Sequence, residues 1–387
     1  MLRAARPTPP LVVLLNSLTV GGSETKSVRM ANALAERGSD VTVAYLNPPE
    51  QLLAEISPLV RVLHLRRSGK FSVGALRRLM KAIRERGNPV VLAVNLYPSL
   101  YAALARTLLG RDRFRLLMSV NTTEFQTRRD ARRMPLYRRV LKRADTVIFG
   151  AEMQRKLWQQ RYRIGTSANR GGATTAVLYN GVDTDRFSAP CADRGPLGTS
   201  PRPRALLETK YIIGSVGKMR PEKAQVDLIA ATAALRGRGI DVGCVIVGDG
   251  PERPRVVEEI EQQGLSGFVV LVGETRDVRP HLAQMDLFAL TSTSVETFSN
   301  AALEAMACGV PIVCSRIGGM EELIGHGGGV SYTPGDVQEL TEVLARLLCD
   351  DLERARLARA ARHAAVEFFG WDRMVDRFVT LASTSTL

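Results

Sequence analysis

Short, unbroken apolar runs recur along the chain, separated by longer stretches in which apolar positions return every three or four residues. In the first half the short runs are Leu11–Leu15, Val41–Leu46, Val90–Val94, Leu116–Val120 and Thr146–Phe149. The stretches Glu24–Arg37, Val73–Arg86 and Ser99–Leu109 carry the period of amphipathic helices. In the second half the runs are Tyr211–Val216, Val242–Val247, Phe268–Val272, Asp286–Leu290 and Pro311–Cys314, with helices over Glu222–Arg236, Pro251–Gln263 and Ser299–Cys308. The tail Asp351–Phe369 reads as a charged helix and Trp371–Leu381 as a final amphipathic one. Strands that are apolar throughout, without alternation, are buried on both faces, which means parallel sheets covered by helices.

The pattern predicts an α/β protein of two Rossmann-like α/β/α domains, residues 1–190 and 191–370, with residues 371–387 packing back on the first. The join is expected between Asp183 and Lys210, a stretch with four prolines and little periodicity. Ligands of open parallel sheets bind beyond the carboxyl ends of the strands. Two such sheets are expected to face each other across a cleft.

The length of 387 residues suits two cores. Aromatics make up only 5% of the chain, against a protein that binds by stacking many bases. No apolar run is long enough to span a bilayer or to serve as a signal peptide, so a cytoplasmic location is expected, with peripheral attachment to the inner face of the membrane as an option. Five cysteines (Cys191, Cys244, Cys308, Cys314, Cys349) lack metal-ligand spacing and read as small buried hydrophobes. The net charge of +14 is unevenly spread. Residues 1–190 hold 32 Lys or Arg against 13 Asp or Glu, a net +19, and the remainder is net −5. The first half is therefore expected to meet something anionic. Arg128–Arg143 is the densest basic segment, with Pro135 expected to interrupt its helix. A solvated surface and an anionic membrane carrying a lipid-linked or phosphorylated acceptor are the competing readings; nucleic acid is disfavoured because no recognition motif accompanies the charge.

Three segments carry candidate chemistry. Gly21-Gly22-Ser23-Glu24 lies between the first strand and first helix, where glycines allow close backbone approach and a helix N-terminus attracts an anion. A plain tight turn would look the same. Gly217-Lys218-Met219-Arg220-Pro221-Glu222-Lys223 follows the first strand of the second half. Pro221 is expected to open a helix, and Lys218 and Lys223 would flank the turn as a diphosphate clamp or as a solvated basic turn. The third segment, Glu296-Thr297-Phe298-Ser299-Asn300-Ala301-Ala302-Leu303-Glu304, opens a helix whose amides around Phe298, Ser299 and Asn300 could hold phosphate oxygens. Glu296 and Glu304 bracket that site as acceptors for sugar and ribose hydroxyls. Surface charges are the alternative. For Glu304 the apolar neighbours Ala301, Ala302, Leu303, Ala305, Met306 and Ala307 argue against it, because a carboxylate in a buried helix needs a partner.

Together these segments resemble glycosyltransferase family 4, retaining enzymes of the two-lobed GT-B fold. The resemblance spans nearly the whole chain. It also rests on Tyr179-Asn180-Gly181-Val182-Asp183, Val247-Gly248-Asp249-Gly250-Pro251, Cys308-Gly309-Val310-Pro311, Gly318-Gly319 and Pro334-Gly335-Asp336. It implies a nucleoside-diphosphate-sugar donor, a UDP-sugar as the first expectation, and a glycan, phosphorylated or lipid-linked acceptor in cell-surface polysaccharide or glycolipid assembly. Glu304 would hold the ribose and Glu296 the donor sugar. Lys218 and Lys223 would neutralise the leaving diphosphate, with Arg220 able to substitute for Lys218, where the family usually has arginine. Gly21 and Gly22 would approach the donor from the opposite lobe. No metal and no further cofactor is expected. The family's histidine after the strand Leu116–Val120 is absent; Asn121 stands there and can orient a donor hydroxyl but cannot act as a base, with Glu124 as a candidate auxiliary group. That absence keeps a non-catalytic sugar-nucleotide-binding subunit as an alternative; a sugar-nucleotide epimerase of the same fold is another, and would need its catalytic carboxylates and histidine placed differently.

Overall fold

The computed structural model describes residues 9–121, 133–165, 173–188, 206, 208–294 and 296–384. The chain forms two compact units, Met1–Tyr179 with Met374–Leu387 as unit 1, and Asn180–Arg373 as unit 2. The division falls at Asn180 rather than near residue 190, because the following segment is tied to unit 2. Val182 N–H donates to Phe369 O at 2.8 Å, and Trp371 N–H donates to Val182 O at 2.8 Å. The Arg362 guanidinium donates to the carbonyls of Thr184, Phe187 and Ala307.

Unit 1 holds seven strands: β1 (Leu11–Leu15), β2 (Val41–Tyr45), β3 (Arg61–His64), β4 (Val90–Val94), β5 (Arg115–Val120), β6 (Thr146–Phe149) and β7 (Thr174–Val177). All pair in parallel in the order β3-β2-β1-β4-β5-β6-β7. Unit 2 holds β8 (Tyr211–Val216), β9 (Val242–Val247), β10 (Val269–Gly273), β11 (Leu287–Leu290), β12 (Ile312–Ser315) and β13 (Gly329–Tyr332), again parallel, in the order β10-β9-β8-β11-β12-β13. The strands β1, β4 and β9 are buried along their whole length, as unbroken apolar runs require. β3, β7 and β13 are the ones the apolar pattern does not announce. Each lies at a sheet edge and each is half-exposed, so each tolerates polar residues.

The order of connection reverses between β1 and β4 in unit 1 and between β8 and β11 in unit 2. At such a switch point the loops leaving two neighbouring strands diverge and open a crevice. The helices that matter begin there: α1 (Gly22–Glu36) after β1 and α2 (Leu96–Leu109) after β4 in unit 1, and α3 (Asn300–Ala307) after β11 in unit 2.

Two expected helix features take a different form. Pro221 opens a single 3₁₀ turn, Pro221–Lys223, and the helix proper starts at Gln225. Ala224 stands between them with φ of 44°, a left-handed conformation that ends the first turn. Pro135 lies in the first turn of a helix, Met134–Leu141, where its missing N–H costs nothing, and so starts that helix rather than interrupting it. The final helix, Trp371–Ser383, buries Met374, Val375, Phe378 and Ala382, and Asp376 on it accepts from Arg37 at 2.6 Å within unit 1. Cys244, Cys308 and Cys314 are buried free thiols, and Cys349 is exposed. Burial pushes Cys244 and Cys314 up to about 12, so both stay protonated. Cys191 lies outside the described residues.

Candidate functional site

The crevice of unit 2 is built from the loop after β8 and the loop after β11. The two are stitched together by backbone: Thr293 N–H donates to Glu222 O at 2.9 Å, and Thr291 Oγ1 donates to Lys223 O at 2.8 Å. The loop after β9 braces the first of them, with Gly217 N–H on Val247 O and Met219 N–H on Asp249 O, both at 2.9 Å. That approach needs Gly248: with φ of 129°, a side chain there would place its Cβ 2.1 Å from Gly217 O. The loop after β11 is further held by Gly319 N–H on Thr297 O at 2.8 Å and by Asn180 Nδ2 donating to Phe298 O at 3.0 Å.

Within this frame the Lys223 ammonium donates to the Glu296 carboxylate, and Ser292 Oγ donates to the same oxygen at 3.3 Å. The Glu296 side chain is only 11% exposed and that of Lys223 24%, so their attraction acts in a partly desolvated setting where it is weakly screened. Glu296 and Lys223 are thus brought together. Lys218 and Arg220 are exposed on the same loop, and Arg220 lies 3.8 Å from Glu222. The loop therefore offers three cations, one of them engaged by Glu296.

Ser299 is the N-cap of α3, its Oγ accepting from Ala302 N–H at 3.2 Å. The amides of Asn300 and Ala301 open the helix and have no intrahelical acceptor. Phe298 is buried and packs edge-on against Phe369 at 5.4 Å, so its side chain is structural and its backbone is what the site can use. Glu304 is half-buried on α3, among buried Ala302, Leu303, Ala305, Met306 and Ala307.

Unit 1 carries its own polar cluster at its switch point. Gly21 is the extended N-cap of α1 and Gly22 its first residue. Neither adopts a backbone conformation reserved for glycine. Ser23 Oγ donates to Glu24 Oε2 at 2.7 Å, Asn95 Nδ2 donates to Ser23 Oγ at 3.2 Å, and Asn121 Nδ2 donates to Asn95 Oδ1 at 3.2 Å. Ser119 Oγ donates to Asn121 Oδ1 at 3.3 Å. Beneath lies a cavity of about 20 Å³ among Ser23, Lys26, Ser119, Asn121, Leu178 and Phe378, room for a single water molecule. The Lys26 ammonium donates to Leu178 O at 3.4 Å, and desolvation lowers it to about 8. The apolar pattern and motifs named Asn121 but neither Asn95 nor Lys26. The available signal was a polar residue directly after the strand Val90–Val94. Glu124, Arg128, Arg129 and Arg132 lie outside the described residues.

The four histidines serve packing or stand apart from this cluster: His64 stacks on Tyr45 at 4.6 Å, His326 on Phe368 at 3.8 Å, His363 meets Phe368 edge-on, and His281 is part-buried in unit 2. Among the described residues no three His, Cys, Asp or Glu side chains gather as a metal site.

Comparison with known proteins follows the same division. Residues 199–364 match the family model described as Glycosyl transferases group 1, and residues 20–186 match Glycosyltransferase Family 4. N-acetyl-alpha-D-glucosaminyl L-malate synthase of Bacillus anthracis is 25% identical over 94% of each chain. GDP-mannose-dependent alpha-(1-6)-phosphatidylinositol monomannoside mannosyltransferase of Mycolicibacterium smegmatis is 31% identical over 65% of this chain and 66% of its own. In fold, the crystal structure of Anabaena Alr3699/HepE in complex with UDP superimposes with a TM-score of 0.79 at 22% identity, covering 97% of this chain and all of that one. Two parallel sheets with interleaved helices, each half matched by its own family model, make this chain a glycosyltransferase of family 4, group 1, with the GT-B fold.

Proposed function

We propose that the protein transfers a hexose-like unit from a nucleoside-diphosphate sugar, a UDP-sugar in the first instance, to a hydroxyl of a glycan, phosphorylated or lipid-linked acceptor, with retention at C1. The observation that carries this reading is the Lys223–Glu296 pair at the switch point of unit 2. It sets a hydroxyl acceptor and a phosphate partner side by side at the mouth of a helix N-terminus. Glu304 takes the ribose, Glu296 the hydroxyls of the donor sugar, and Lys223, Lys218 and Arg220 the diphosphate, with the amides at Phe298, Ser299 and Asn300. In unit 1, Gly21, Gly22 and Asn121 mark the sugar-facing end of the sheet.

The chemistry follows from where charge grows. The C1–O bond to the diphosphate breaks through an oxocarbenium-like state, and negative charge accumulates on the departing phosphate oxygen. Cations and helix amides fixed at that oxygen stabilise the transition state more than the ground state. The acceptor oxygen bonds to C1 on the face the phosphate leaves, and the acceptor proton passes to the phosphate. No protein base is needed, which accommodates asparagine at position 121, and the cations carry out the charge neutralisation that would otherwise fall to a metal.

The relatives speak for sugar nucleotides and for acceptors of different kinds: one is named for GDP-mannose and a phosphatidylinositol mannoside, one for L-malate, and the HepE structure holds UDP. A place in cell-surface polysaccharide or glycolipid assembly, at the inner face of the cytoplasmic membrane, fits the lipid acceptor and the basic first half. The test is turnover of UDP-sugars and GDP-mannose with a glycolipid extract as acceptor, the product's anomeric configuration being read by NMR. Transfer with the donor's own configuration is expected. An inverted product refutes retention, and absence of transfer and of donor hydrolysis with every nucleotide sugar refutes the assignment.

A further inference from the structure

Asn95 occupies a backbone conformation that its residue type does not favour. Its φ is 69° and its ψ 170°. That region is open to glycine and costs other residues on the order of 1–3 kcal/mol. Asparagine tolerates the left-handed helical region, but there ψ lies near 47°, far from the value here. Asn95 is also the N-cap of α2, and asparagine is among the best N-cap residues because its side chain accepts from the helix's first amides. Here the side chain makes no such bond. It lies between Ser23 and Asn121 instead.

Four hydrogen bonds among these side chains run one way. Ser119 donates to Asn121, Asn121 to Asn95, Asn95 to Ser23, and Ser23 to the Glu24 carboxylate. A group that donates to an anion becomes a better acceptor, and the effect passes along an aligned chain. The carboxylate thus fixes both amide orientations, and the Asn121 carbonyl oxygen, which accepts from Ser119 and has a second lone pair, is strengthened as an acceptor. The chain joins the carboxyl ends of β5 and β4 to the first turn of α1, at the point where connections of the sheet reverse. The backbone cooperates: Asn95 N–H donates to Ser119 O at 2.8 Å, holding the ends of β4 and β5 in register.

We propose that Asn95 is a positioning residue of the transfer reaction, whose strained placement locks the Asn121 amide so that its oxygen accepts a hydroxyl of the polyhydroxylated ligand bound at unit 1. This rests on the glycosyl-transfer reading above. The strain is retained because the side chain is needed in that place, and a glycine would hold the backbone at lower cost.

Stability and transfer should therefore move in opposite directions in Asn95→Gly. The variant is expected to unfold at the same or a higher temperature than the wild type. Its kcat/KM should fall by about 10- to 100-fold for the UDP-sugar or GDP-mannose that the wild type turns over with a glycolipid extract, the range expected for a misdirected positioning group. Thermal stabilisation by UDP alone should be unchanged. Adding Asn121→Ala to Asn95→Gly should cost little more than either alone, because residues of one chain act as a unit. Wild-type transfer by Asn95→Gly overturns the proposal. So does a lowered melting temperature with transfer per folded molecule preserved, or a double variant whose losses multiply. A wild type that transfers no sugar refutes the underlying reading instead, so the two failures are distinguishable.

Discussion

Glu296 is placed as much by backbone as by its partner Lys223. Gly318 has φ of 56°, and a Cβ there would lie 1.5 Å from Glu296 O. No rotamer change relieves a clash between a Cβ and a carbonyl, so any side chain at 318 displaces the segment that carries Glu296. Gly318→Ala is therefore expected to reduce kcat/KM by about 100-fold, the scale of a misplacement near 1 Å, while secondary structure is retained. Steady-state kinetics beside circular dichroism checks this, and unimpaired transfer would show that the segment tolerates the shift. Residue identity was the most legible level of the site. Glu296, Glu304, Lys218 and Lys223 stand out by type and context. Their pairing was not legible: Lys223 and Glu296 are 73 positions apart, and only the adjacency of β8 and β11 brings them together. Asn95 escaped for a related reason. A lone asparagine after a strand is ordinary in sequence, and only its dihedral angles and partners mark it out.

At the scale of elements, a buried ion pair fastens α2 to the sheet of unit 1. The Arg106 guanidinium donates to both oxygens of Asp145, at 2.6 and 2.7 Å, and Leu116 N–H donates to Asp145 at 2.8 Å. The two side chains are 6% and 10% exposed. Asp145→Asn would leave a buried guanidinium without its counter-charge and is expected to cost about 3–5 kcal/mol, read as a lower midpoint in urea unfolding. A loss below about 1 kcal/mol would mean that water reaches the pair. Elements were legible where burial is two-sided, since continuous apolar runs such as Val90–Val94 leave no other interpretation. They were illegible at the sheet edges β3, β7 and β13, where half-exposed residues need no apolar pattern. Pro135 shows a second limit. Proline marks a helix end without saying which one, and the left-handed Ala224 that separates the 3₁₀ turn from the following helix has no signature in sequence.

For the whole molecule, charge and chemistry divide along the same line. The basic excess lies in residues 1–190, and Glu296 and Glu304, the acidic pair of the proposed donor site, lie in the second half. No helix among the described residues is long and apolar enough to cross a membrane. Surface cations of the first half would each contribute about 1 kcal/mol near an anionic surface. Co-sedimentation with phosphatidylglycerol-containing vesicles is expected at low salt and should disappear with salt or with neutral lipid; binding indifferent to both would remove the electrostatic account. The proposed function requires that unit 2 hold a nucleoside-diphosphate sugar through Glu304 and the cations beside Glu296. Thermal unfolding of the wild type and Glu304→Ala against a panel of UDP-, GDP- and dTDP-sugars tests it most directly, because a ligand that binds only the folded state raises the midpoint by mass action. The predicted result is a concentration-dependent rise with one donor class in the wild type and a much smaller rise in Glu304→Ala. A wild type that no nucleotide sugar stabilises, or a variant stabilised to the same extent, would contradict it.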